Sequence, residues 1–414
     1  MILDPVELLQ QLIQIPSVNP MGHDIRGPQI GEARLTDFLQ DQIEGLSLPW
    51  LRQRVDPGRD NLMALLRGDP PIQDGGEFLL WDVHQDTVPV DGMTIDPFGG
   101  DVRDGRVYGR GACDVKGSMT AMLATISRVV QTKAKSRHSP TIAIAFTVNE
   151  ECGFTGVEAC CHLMQQKEMQ DATIVGGTIS PAEMFPRLPD AAIVAEPTEF
   201  KVVVAHQGVV RLRCHTIGRA AHTSRPEVGI NAIYGMAQIV QTIERLHVAL
   251  QENGPSHPLC GRPTACVSTI HGGVGINTVP ERATIEIDRR IGPNERPGKA
   301  YEDISRLIAE QADVGRCRVE LDPPLMQSRG LSDKQNQTLA KSLSSLVEKR
   351  GCPGELIGVP YATDAAAIAA TGVPTVVFGP GSIAQAHTAD EFIEGDAIQL
   401  ATDIFHQIAT EGLR

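Results

Sequence analysis

Short apolar runs alternate with amphipathic stretches along the first two hundred residues. Asp4-Pro5 predicts a helix start, an N-cap followed by proline at the first helical position. The spacing Leu8, Leu9, Leu12, Ile13 continues that helix, and Ile15-Pro16 ends it. Glu32 to Ile43 has the same amphipathic spacing. Gly117 to Val130 carries small and apolar residues on most faces, which predicts a buried helix. Leu79 to Val83, Thr141 to Val148, Ala191 to Ala195 and Val373 to Phe378 are short apolar runs of strand type. Strands alternating with helices predict an α/β fold with a mixed, mostly parallel sheet flanked by helices. Gly176 to Pro189, rich in Gly and Pro, reads as a surface loop.

The middle of the chain has a different rhythm. Strand patterns at Val209 to Ile217, Ala265 to Ile270, Arg282 to Ile291 and Arg316 to Leu321 enclose helices at Asn231 to Leu250 and Ala300 to Gln311. That β-α-β-β-α-β order resembles a ferredoxin-like α+β unit. The first pattern resumes near Leu331, so one domain is inserted into the other. The expected division is 1–206 and 326–414 for the main domain and 207–325 for the insert. A length of 414 residues fits that organisation.

Composition narrows the class. Hydrophobic residues make up 41% and charged residues 21%, the balance of a soluble globular protein. A net charge of −14 gives no general attraction for nucleic acid or anionic lipid. The longest basic cluster, Lys133 to Arg137, reads as a solvated loop. No apolar run approaches the ~20 residues of a membrane span. Met1 to Pro5 lacks a basic start and an apolar signal core, and the nine cysteines form no CxxC pair. The expected compartment is the cytoplasm.

Chemistry concentrates in four places near strand ends, where open α/β sheets place ligands. In His84-Gln85-Asp86, His84 is a metal ligand candidate with Asp86 orienting its imidazole, although for this segment alone a buried structural histidine is the better reading. Gly109 to Gly117 holds Asp114 just before a helix. By itself it is an N-cap with a glycine turn, and it matches neither phosphate-loop pattern. Glu150 and Glu151 follow an apolar strand. They are either solvated at its end or divided between a metal ligand, Glu151, and a general base, Glu150. Glu196 and His387 follow two further strands. Together His84, Asp114, Glu151, Glu196 and His387 form a carboxylate and imidazole set suited to zinc, cobalt or manganese. Five ligands exceed one tetrahedral site, and a bridging carboxylate between two ions uses all five.

These residues carry a resemblance. HQDTVP at 84–89, DPFGGDVRDGRVYGRGACDVKG at 96–117, NEECG at 149–153, AEPT at 195–198 and AHTADEF at 386–392 are similar to the co-catalytic zinc amidohydrolases and exopeptidases. That family includes acetylornithine deacetylase, succinyl-diaminopimelate desuccinylase, aminoacylase and glutamate carboxypeptidase. GRAAHTSRPEVGINAI at 218–233, GGVGINTVP at 272–280 and DRR at 288–290 extend the match through the insert. The resemblance implies a zinc-exopeptidase-like catalytic domain with an inserted lid or dimerisation domain. It implies two divalent ions, zinc first, bridged by Asp114. His84 and Glu196 complete one site, and Glu151 and His387 the other. A cis peptide would follow the bridging residue, at Asp114-Val115.

Glu150 resembles the general base and Asp86 the partner of His84. His222 resembles a histidine that reaches the scissile carbonyl, often across a dimer. Asn277 and Arg290 resemble residues that hold the substrate carboxylate, and an arginine fork suits that task. An ion pair with Asp288 is the competing reading of Arg290. Thr363 and Gly381 resemble further substrate contacts. Asp82 departs from the small residue often found there. The implied partners are a small N-acyl amino acid or dipeptide with a free carboxylate and a second copy of the chain, not nucleic acid or membrane. The implied activity is acetylornithine deacetylase-like amide hydrolysis. Alternatives are a desuccinylase, a glutamate-type metallocarboxypeptidase or an inactive scaffold on the same fold.

Overall fold

The computed structural model describes residues 3–23, 25–132, 138–165 and 173–413, so the cluster Lys133 to Arg137 lies outside the described residues. The chain forms two compact units: Met1–Val204 with Asp333–Ile357 and Thr363–Arg414, and Ala205–Ser332 with Gly358–Ala362.

A nine-stranded mixed sheet runs in the order Leu356–Val359, Val202–His206, Thr375–Val377, Ala191–Val194, Phe78–His84, Thr141–Thr147, Arg59–Leu66, Trp50–Asp56 and Ile174–Gly177. The four strands from Thr375–Val377 to Thr141–Thr147 are parallel. Val202–His206 on one side, and Arg59–Leu66, Trp50–Asp56 and Ile174–Gly177 on the other, pair antiparallel, so the sheet is mixed. The cause is local: Trp50–Asp56 and Arg59–Leu66 are joined by a tight turn, and so short a link permits only a hairpin.

Phe78–His84 and Thr141–Thr147 are buried at every position, as parallel central strands should be. On one face Leu79, Trp81 and Val83 pack with helices Ala33–Gly45, Gly117–Thr132 and Gly395–Glu411. Trp81 meets Phe405 edge-on, with ring centroids 4.9 Å apart. The alternation of a strand turns Leu80 and Asp82 to the other face. There helices Thr155–Met164 and Ala365–Ala369 pack against each other and the sheet. The first helix, Pro5–Ile13, starts as its sequence predicts. The Asp4 carboxylate accepts from the N–H groups of Val6 and Glu7, both at 3.0 Å.

The stretch from Gly176 to Pro189 is not a plain loop. Ile174–Gly177 adds an edge strand beside Trp50–Asp56, and Pro181–Met184 is a short helix. Ser180 and Glu183 cap that helix reciprocally around Pro181, a start signal that outweighs the loop-like composition.

In the second unit, strands Thr264–Gly272, Arg282–Ile291, Gly208–Ile217 and Arg318–Leu321 lie side by side in that order, all antiparallel. Met326–Ser328 also pairs with Gly208–Ile217. Helices Ala232–Asn253 and Pro297–Gln311 bury Met236, Ile239, Ile304 and Ile308 against Val210, Leu212, Ile285 and Ile287. The opposite face is charged, with Arg211 paired to Asp288 and Arg213 to Glu286. Both helices on one face of a four-stranded antiparallel sheet make this unit ferredoxin-like.

Candidate metal centre and active site

The parallel strands end level. His84 stands beside Thr147, Asp82 beside Val194, and Val194 beside Val377. Their carboxyl ends therefore share one rim, the ligand edge of an open α/β sheet. His84 is the last residue of its strand. Thr141–Thr147 leads into Glu150 and Glu151, Ala191–Val194 into Glu196, and Thr375–Val377 into the loop of His387. Asp114 comes from the turn Ala112–Lys116, which opens helix Gly117–Thr132. The Asp114-Val115 peptide is cis.

The two carboxylate oxygens of Asp114 face different histidines. Oδ1 lies 3.1 Å from His84 Nε2, and Oδ2 lies 3.3 Å from His387 Nε2. Glu196 Oε1 is 3.9 Å from His84 Nε2 on the first side. Glu151 Oε1 is 3.3 Å from His387 Nε2 on the second. Donor atoms of His84, Glu150 and Glu196 lie within 4.8 Å of one another, as do those of His84, Asp114 and Glu151. His387 takes a left-handed backbone, φ 61°, that side chains rarely adopt.

Four carboxylates meet two imidazoles here, and the protonation pattern shows the strain of that crowding. Burial and the neighbouring Glu196 push the Glu150 carboxyl well above its usual range. Burial and Asp114 push Glu151 up to about 7, and the same two causes raise Glu196. Burial works against Asp114 ionising, yet hydrogen bonds from His387 and His84 hold it below the ordinary carboxylate range. Hydrogen bonds to Asp114 and Glu151 raise His387 to about 10. His84 is also raised; burial opposes this, but its bond to Asp114 and the charges of Glu150 and Glu196 prevail. The surrounding carboxylates thus favour the charged form of both imidazoles, as an anionic centre favours cations. Carboxylate oxygens and imidazole nitrogens around a shared anionic centre fit divalent metal ions.

Asp86 orients His84 differently from the expectation. Its backbone carbonyl, 2.9 Å away, faces His84 Nδ1, while the nearest carboxylate oxygen is 3.8 Å off. The carboxylate instead accepts the backbone N–H groups of Glu150 and Glu151, both at 3.0 Å, and the Asn19 amide at 2.7 Å. The strand end curls so that its own carbonyl reaches the ring first.

A model of peptidase family M20/M25/M40 matches residues 80–411. The chain belongs to that family. Acetylornithine deacetylases from Photorhabdus laumondii and Shigella sonnei are 30% and 29% identical to it, each over 97% of this chain and 96% of the relative. A tripeptidase structure from Staphylococcus aureus has the same fold, with TM-score 0.74 and 19% identity over 99% of this chain and 98% of the other. The family M20 chain is thus a metal-dependent amidohydrolase or exopeptidase.

The other candidates fall into two groups. Thr363 is 1% exposed, and its hydroxyl accepts the Ala365 N–H at 3.2 Å at the start of a helix. Gly381 has φ +80°, and a Cβ there would meet Cys113 Sγ at 2.7 Å. Both positions therefore have local work within the first unit.

His222, Asn277 and Arg290 belong to the second unit. His222 is exposed on the strand Ala221–His222, and its Nδ1 accepts the Ser224 N–H at 3.1 Å. The neutral ring then carries its proton on Nε2, as a donor. Asn277 is exposed beside Ile276 and Val274, which are 100% and 91% exposed. Arg290 Nε lies 2.8 Å from Asp288, so the ion pair anticipated as its competing reading is formed.

Three residue sets escaped the sequence reading. Glu32, fully buried, takes a forked bond from Arg59, which also donates to Asn149 beside Glu150. Glu391 collects the N–H groups of the Asp114 turn. Asp82, the noted departure, is buried beside Asp364, whose carboxylate accepts the Thr147 hydroxyl at 3.0 Å. Burial pushes the Asp82 carboxyl up to about 7 and that of Asp364 well above its ordinary value. An acid two residues before a ligand was the available signal for Asp82. The others depend on contacts remote in sequence.

Proposed function

We propose that the chain hydrolyses the amide bond of a small N-acyl amino acid, N-acetylornithine being the first candidate, with two divalent metal ions. The observation that carries this reading is Asp114, whose two oxygens face His84 and His387 separately. On this reading His84 and Glu196 would hold one ion, Glu151 and His387 would hold the other, and Asp114 would serve both. Zinc is the first choice, with cobalt or manganese as substitutes. When bound, the ions supply Lewis acidity to the carbonyl and acidify a water.

The chain's own groups do the rest. Glu150, held by its backbone on Asp86, takes the proton from the attacking water and passes it to the leaving amine. His222 offers its Nε2–H to the oxygen that becomes negative, from its own chain or a partner's. Asn277 and Arg290 receive the substrate carboxylate; Arg290 would exchange Asp288 for it. A homodimer through the second unit accompanies this reading. The relatives, acetylornithine deacetylases over nearly their full length, support the substrate class.

The test is turnover after metal stripping and zinc or cobalt reloading, on N-acetylornithine, N-succinyl-diaminopimelate, other N-acetyl amino acids and a dipeptide ending in glutamate. Activity on an N-acyl amino acid that vanishes with chelator and returns with metal supports the reading. Activity confined to the dipeptide overturns the substrate class. Failure to bind metal overturns the centre itself.

A further inference from the structure

Glu391 lies four residues beyond His387 and is fully buried. Its Oε1 accepts the backbone N–H groups of Cys113 at 2.9 Å and Asp114 at 3.0 Å. Its Oε2 accepts the N–H of Gly111 at 3.0 Å and the Arg110 guanidinium at 2.7 Å. The backbone carbonyl of Glu391 takes the Gly109 N–H at 3.0 Å. Directly after it, Phe392–Glu394 pairs with Arg106–Tyr108. Two segments remote in sequence are thus fastened along their length, and the fastening reaches Asp114 itself.

A carboxylate has the right shape for this. It has two oxygens, no hydrogen to donate, and a full charge to strengthen each bond. An amide would turn N–H against N–H on one side.

We propose that Glu391 is a positioning residue that sets Asp114 against His387 and so couples the two sides of the metal pocket. The proposal rests on the dinuclear reading above. Glu391 is no ligand in it; it acts through the turn that carries the bridging group.

The test uses the full chain as wild type, Glu391→Gln and Glu391→Asp. Aspartate keeps the charge facing Arg110 but is one methylene too short to reach all three N–H groups. Cobalt(II) is titrated into metal-free protein and followed by visible absorption, with circular dichroism as the check on folding. Hydrogen exchange of residues 111–114 is read on metal-free wild type and variants by mass spectrometry.

Folded variants should bind cobalt about 10–100-fold more weakly, with an altered cobalt spectrum and faster exchange at 111–114. Wild-type affinity and spectrum in either folded variant overturns the proposal. If neither variant folds, unprotected 111–114 amides in metal-free wild type overturn it, and protected ones support it. Wild type that takes up no cobalt removes the dinuclear reading instead, while the exchange data still decide whether Glu391 holds the turn.

Discussion

Glu150 and Glu151 are neighbours with divergent surroundings. Glu151 meets His387, whereas Glu150 sits with His84 and Glu196. Glu150→Gln should therefore lower turnover by about 10²–10⁴-fold, the usual weight of a general base, with metal content by atomic absorption unchanged. Metal loss in that variant would make Glu150 a ligand. Asp86→Asn separates the two jobs of its residue. The carbonyl at His84 Nδ1 stays, while an amide N–H₂ now faces an N–H of Glu150 or Glu151. Metal stoichiometry should hold while kcat falls, measured on the same preparation. Loss of metal would return the carboxylate to His84. His84, Glu151, Glu196 and His387 were legible as candidates because each stood at or just after the end of an apolar strand. The role of Asp86 was not, because a carbonyl and a carboxylate of one residue look alike in a sequence. Glu391 was quoted within a motif, but its three N–H partners lie at positions 111–114, and no local pattern links them.

Elements were legible where the period was strong. The helices from Pro5, Ala33 and Gly117 and the order of the second unit follow from spacing alone. The antiparallel flanks did not, since Trp50–Asp56 and Arg59–Leu66 mix charged and apolar residues. Strand direction also depends on partners the sequence does not name. The strand Val202–His206 ends on a buried histidine with a cost of its own. Burial pushes His206 down to about 4, and its Nδ1 bonds the Gln207 carbonyl. The unfolded chain binds this proton near 6.5, the folded chain near 4. Stability from this group is thus complete above pH 6.5 and is lost as pH falls toward 4. Between pH 7 and 5 it should cost about 2 kcal/mol. His206→Gln should lose less stability over that interval than wild type in urea unfolding. Equal losses would place the acid sensitivity elsewhere.

For the whole molecule, the last strand of the nine-stranded sheet to be made lies inside that sheet. Thr375–Val377 lies between Ala191–Val194 and Val202–His206, both already buried sequences. A chain stopped after Gly372 leaves their edges open and apolar. Such edges recruit other chains, so the truncated protein should appear in the insoluble fraction and bind no cobalt after refolding. A soluble, monomeric truncation would show that the two strands pair without their neighbour.

The scattering of the metal pocket along the chain also sets a timetable on the ribosome. Between translation of His84 and of His387 lie roughly three hundred codons, or about 15–60 s at ~5–20 residues per second. Through that interval the nascent protein offers at most a partial claw to the cell's metal supply. On the proposed ligand assignment the set of donors is complete only once His387 has been made, so both ions would be held only after that point in synthesis.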